Sequence, residues 1–81
     1  MKIRILSFAV CHEIIGNREV DIEIVENATV STAIEELVKL YPALSGCKDS
    51  LAVAVNAEYA DGSKILKAGD EIALIPPVSG G

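Results

Sequence analysis

With 81 residues the chain has room for one small domain, and a 51% hydrophobic content with one Phe, two Tyr and no Trp describes an aliphatic core and excludes a disordered chain. A core of that size leaves about 3–5 kcal/mol of net stability and little room for a deep catalytic pocket of its own. Twelve acidic against seven basic side chains give a net charge of −5, which repels phosphate backbones, argues against nucleic-acid binding and suits a basic protein partner better.

The opening run Lys2-Ile3-Arg4-Ile5-Leu6-Ser7-Phe8 alternates charge with hydrocarbon and then turns continuously apolar, as a strand does on entering the middle of a sheet. Ala9 to Ile15 reads as a short helical turn stopped by Gly16-Asn17. From Arg18 to Val25 the alternation is clean: Val20, Ile22 and Ile24 share one face, and Glu19, Asp21 and Glu23 share the other. This predicts a half-buried strand, hairpin-paired with the first. The acidic row reads as a solvated face that also suits a basic partner.

The period then changes. Val30, Ala33, Ile34, Leu37, Val38 and Tyr41 recur at helical spacing, and Pro42 closes the stripe. Thr29 and Thr32 compete for the N-cap, Thr32 having the capping-box partner Glu35; the start of the stripe at Val30 favours Thr29. A loop with Ser45-Gly46 leads to an apolar strand, Leu51 to Val55. A short segment near Glu58-Tyr59 and a last strand, Glu71 to Ile75, complete the pattern. One amphipathic helix covers one sheet face, so the expected fold is an α+β domain, a mixed sheet packed on one main helix in ββαββ order, which suggests a β-grasp. Residues 1–75 form the domain and 76–81 an extended C-terminal tail.

That tail reads Pro76-Pro77-Val78-Ser79-Gly80-Gly81. Two prolines remove two ladder donors and hold the chain extended, and five residues from Pro77 reach about 16–18 Å. The two glycines let a narrow channel close around the backbone. The terminal carboxylate is the candidate reactive group: attack on the α-phosphate of ATP makes an acyl-adenylate, and a sulfur nucleophile then yields a thiocarboxylate. A frayed, accidental Gly-Gly end is the plain alternative, and the launching prolines and the body before them weigh against it.

The ending Ile75 to Gly81, preceded by Ala68-Gly69-Asp70-Glu71, resembles the molybdopterin synthase small-subunit family of ubiquitin-like β-grasp sulfur carriers. Chain length, the opening strand and short helix, the Thr29-Val30 helix start and Val55-Asn56 extend the likeness over nearly the whole chain. The resemblance implies that Gly81 bears the sulfur as thiocarboxylate, that Gly80 gives access, and that Pro76, Pro77, Val78 and Ser79 thread a channel of a catalytic large subunit. It implies a non-catalytic subunit that binds no cofactor itself, ATP being consumed by a partner adenylyltransferase/sulfurtransferase. It further implies that the sulfur acceptor is cyclic pyranopterin monophosphate, converted to molybdopterin by a heterotetramer of two large subunits with a carrier at each end. The family often has Phe at the position of Ile75, and Ile keeps an apolar anchor there for the partner. Two alternatives share the Gly-Gly end: a ubiquitin-like modifier of lysines, and a carrier for thiamine or tRNA thiolation. The thiamine carrier is usually shorter and lacks Pro-Pro-Val-Ser.

Cys11 and Cys47 have no CxxC or metal-ligand spacing, and Lys2 and Arg4 do not suit a secretory leader, so the expectation is a cytoplasmic protein with reduced thiols and no metal. No apolar run approaches the ~20 residues that cross a bilayer. His12 between Cys11 and Glu13 suggests a triad, but sequence neighbours on a helical turn point apart, so a structural or surface role is expected. Cys47 reads as an inert loop thiol.

Overall fold

The computed structural model describes residues 1–77. In chain order the elements are β1 (Lys2–Ser7), α1 (Val10–Ile15), β2 (Glu19–Glu23), α2 (Val30–Leu40), 3-10 turns over Pro42–Gly46 and Lys48–Ser50, β3 (Ala52–Val55), β4 (Glu58–Ala60) and β5 (Glu71–Ile75). The sheet order is β2-β1-β5-β3-β4. β1 pairs antiparallel with β2 and parallel with β5, and β3 pairs antiparallel with β5 and β4. The result is the mixed α+β β-grasp that the alternating and helical periods predict.

Local chemistry explains the boundaries. Thr29 is extended and its side chain accepts the backbone N–H of Thr32 at 3.3 Å, so it caps α2 as the stripe implies. Gly16 ends α1 in the left-handed region at φ 86°, donating its N–H to the His12 carbonyl. Pro42 does more than stop α2. It opens a 3-10 turn where a loop was expected, and that turn places Leu44 in the core at 2% exposure.

The core lies on one face of the sheet. Ile3, Ile5, Ile22, Val55, Ile72 and Leu74 meet Val30, Ala33 and Leu37 of α2, while Cys11 and Ile15 of α1 and Leu44 close one end. Ser7 is the one buried polar residue among the described residues, and its Oγ donates to the Asn17 carbonyl at 2.6 Å.

Candidate functional site

Strand β5 carries the root of the tail, and the chain holds that strand firmly. It is central, bonded on one edge to β1 and on the other to β3. Its entry is fixed by the Ala68-Gly69-Asp70-Glu71 run. Gly69 turns at φ 85° and donates its N–H to the Lys2 carbonyl at 2.9 Å, and the Asp70 carbonyl accepts the Arg4 N–H at 2.9 Å. Asp70 Oδ2 accepts the Lys67 N–H at 2.8 Å. Asn56, at the tip of the β3–β4 hairpin, reaches across: its Nδ2 donates to Asp70 Oδ1 and its Oδ1 accepts the Glu71 N–H, each at 3.0 Å. These bonds set the register in which Ile75, paired with Ala52, is the last rung before Pro76.

The face opposite the core carries a row running across four strands. Leu6 stands opposite Ala73, Ala73 opposite Ala54, and Ala54 opposite Tyr59, with Ile75 and Ala52 in the adjacent row. Ala54 is buried yet has no place in the core cluster, because its neighbours on this outer face cover it. Tyr59 is 78% exposed, and Leu6, Ala73 and Ile75 are half-buried. Among the described residues, no element packs over this apolar strip, and it adjoins the strand end from which the tail departs.

Charge borders the strip. The Arg4 guanidinium lies 3.4 Å from Asp21 and 3.7 Å from Glu19, and Glu23 is 3.5 Å from the Met1 amino group. The acidic row therefore has cationic partners within the chain, which reduces what it offers to a basic partner. All of these acids are exposed, so the pairs contribute little stability, about 0–1 kcal/mol each.

The structure places Ile75 at the end of β5, with Pro76 half-buried and Pro77 exposed. The tail positions Val78, Ser79, Gly80 and Gly81 lie outside the described residues. Pro76 and Pro77 line a shallow pocket together with Ala9, Val10, Glu13, Cys47 and Ser50. Ala9 is strained here, at φ 50° and ψ −124°, a region that L-residues rarely occupy. Cys11, His12 and Glu13 make no triad: Cys11 is fully buried, while His12 and Glu13 are exposed on the opposite side of α1. Burial foremost, and then the neighbouring Cys47, push the Cys11 thiol from 9.0 up to about 11, so it is not a ready nucleophile. Among the described residues, no cluster of three or more His, Cys, Asp or Glu side chains is placed to hold a metal ion. Nor is any helix among them long and apolar enough to cross a membrane.

The sequence reading expects Ile75 and the apolar face of the last strand to pack on a partner; the structure sets Ile75 on the same outer face as Leu6, Ala54 and Tyr59, which that reading did not single out. Leu6 did leave a signal. It occupies the outward phase of β1 with Lys2 and Arg4, so its hydrocarbon faces away from the core, whereas the inward Ser7 is polar.

The ThiS family matches residues 5–81. The molybdopterin synthase sulfur carrier subunit of Arabidopsis thaliana is 33% identical over 100% of this chain and 84% of that protein. The small archaeal modifier protein 1 of Haloferax volcanii is 39% identical over 91% of this chain and 94% of its own length. Among solved structures, SAMP1 from Haloferax volcanii superposes at TM-score 0.90 with 37% identity, covering 100% of both chains. A chain from the complex of subunits 1 and 2 of the molybdopterin-converting factor from Helicobacter pylori superposes at TM-score 0.70 with 26% identity, again covering 100% of both.

Proposed function

The chain belongs to the ThiS family, with molybdopterin synthase sulfur carrier subunits among its full-length relatives, and from that premise we propose that Gly81 carries sulfur as a C-terminal thiocarboxylate. An ATP-dependent adenylyltransferase/sulfurtransferase activates the carboxylate: the oxyanion attacks the α-phosphate, pyrophosphate leaves, and a sulfur nucleophile displaces AMP. The tail then enters a catalytic large subunit, where the sulfur passes to cyclic pyranopterin monophosphate on the way to molybdopterin. Pro76, Pro77, Val78 and Ser79 thread the channel, and Gly80 lets it close on the backbone. This chain supplies no catalytic side chain. It brings the sulfur and positions it.

The observation that carries this reading is how the tail is delivered. Its root is the central strand, fixed in register by Asn56, Gly69 and Asp70, and it ends beside an apolar strip that no described element covers. A tail needs a docked body to hold its end in place, and docking turns insertion into a local, high-concentration event. The apolar strip with Ile75 at its edge supplies that dock for the large subunit. The Helicobacter pylori complex, in which a similar chain is bound to a second subunit, supports such an assembly.

The likeness to small archaeal modifier protein 1 supports a second reading, in which Gly81 is joined to lysines of other proteins. Intact mass of the chain isolated from its native cell separates the two. Sulfur in place of one terminal oxygen is expected for a carrier, whereas Gly81 found on lysines of other proteins, with no thiocarboxylate form, contradicts the carrier reading.

A further inference from the structure

The chain's two cysteines, far apart in sequence, meet in the fold. Cys11 sits on the inner side of α1 with 0% exposure and belongs to the core cluster. Cys47 follows the first 3-10 turn, is half-buried, and packs against that same cluster. The Cys47 thiol lies close enough to Cys11 to help hold its proton in place, and the Cys47 sulfur donates to the carbonyl of Leu44, a member of that cluster, at 3.5 Å. Cys47 also lines the open pocket shared with Val10, Pro76 and Pro77. Cys47 is therefore the member of the pair open to solvent, and Cys11 is closed off from it.

We propose that Cys11 and Cys47 form a reversible redox pair, closing to an intramolecular disulfide when a low-molecular-weight disulfide reaches Cys47 through the pocket at the root of the tail. The Cys47 thiolate attacks one sulfur of the oxidant, breaking its S–S bond and releasing the first thiol. Cys11 then gives up its proton to solvent and attacks the Cys47 sulfur of the mixed disulfide, releasing the second thiol. The pair loses two electrons and two protons, and the oxidant is reduced to two thiols. Burial assigns the roles: a thiol held near 11 has little thiolate at neutral pH, so Cys11 resolves and Cys47 leads. The bond ties α1 to the 3-10 segment beneath Pro76, and it does not rest on the sulfur-carrier reading.

The test treats the folded, reduced chain with glutathione disulfide at neutral pH, quenches by alkylation, and reads intact mass and a peptide map. The expected product, formed within minutes to hours, is two hydrogens lighter, retains no glutathione, joins the Cys11 and Cys47 peptides, and reverts with dithiothreitol. Cys11→Ser should keep one glutathione on Cys47, and Cys47→Ser should stay unmodified while folded. Cys11→Ala replaces Cys11→Ser if circular dichroism shows the serine variant unfolded. A wild-type chain that keeps glutathione on Cys47 beside a free Cys11, links to a second copy through Cys47, or does not react at all would overturn the proposal.

Discussion

The side-chain amide of Asn56 donates to Asp70 at 3.0 Å, tying the tip of the β3–β4 hairpin to the residue just before the tail strand. The same side chain accepts the Glu71 N–H, and its backbone sits at φ 50°, which Asn tolerates better than Ala. Asn56→Ala should therefore cost about 2–3 kcal/mol in urea unfolding, summing two lost hydrogen bonds and a less tolerant backbone. Asn56→Asp keeps the acceptor but sets a carboxylate against Asp70, so it should also destabilise at neutral pH. An unchanged urea midpoint for both variants would show that the latch does not hold β5.

Ala9→Gly should stabilise the fold. Glycine removes the Cβ that makes φ 50°, ψ −124° costly, a relief of about 1–3 kcal/mol, offset by roughly 0.4–1 kcal/mol of extra unfolded-chain entropy. A net gain of about 1 kcal/mol should raise Tm by several degrees. A lower Tm would place the strain elsewhere.

Ile75→Asp and Leu6→Asp each set a charge in the apolar strip. If the strip is the dock, either change should weaken binding to the large subunit by about 2 kcal/mol or more, roughly thirtyfold, while the isolated chain stays folded. Titration calorimetry with the purified large subunit measures this. Unaltered affinity in both variants would move the interface off this face.

The buried thiol gives a pH dependence. Cys11 ionises at 9.0 in its ordinary state and at about 11 when folded, so the native state holds the proton more tightly. Its contribution is complete below pH 9 and is lost as pH rises toward 11, a fall on the order of 3 kcal/mol at about 1.4 kcal/mol per unit. Cys11→Ala should be less stable at neutral pH because it leaves a small cavity, but should decline less over that window. Parallel declines would show that the thiol is not held protonated by the fold.

Elements governed by local chemistry were legible from residues alone. The Thr29 cap, the stop at Gly16 and the bounds of β5 each follow from a periodicity or a special residue within a few positions. The 3-10 turns over 42–50 were not legible, because a Pro-Ala-Leu-Ser-Gly run has no strong period and Leu44 is drawn inward by tertiary contact. Asn56 read as turn punctuation, since its partners Asp70 and Glu71 arrive from a distant strand. The Cys11–Cys47 contact and the outward strip through Leu6, Ala73, Ala54 and Tyr59 needed the pairing order β2-β1-β5-β3-β4, which one chain's pattern does not dictate. The Gly-Gly end was conspicuous in the sequence for the opposite reason: two consecutive glycines behind two prolines stand out locally whatever the chain's long-range contacts.

The central claim is that the carboxylate of Gly81 is the reacting group, held at one position by a tail of fixed length. Deleting Gly81 draws the carboxylate back by about 3.3–3.6 Å, well beyond the ~1 Å misplacement that already costs on the order of a hundredfold in rate. Adding one residue puts an amide where the carboxylate belongs. Neither change touches the core, so both variants should unfold at nearly the wild-type temperature and still bind the large subunit. The decisive measurement is molybdopterin formation in a reconstituted mixture of carrier, activating enzyme, ATP, a sulfur source and the large subunit. No product from either variant is the predicted result, and wild-type turnover by the Gly81-deleted chain would contradict the thiocarboxylate mechanism.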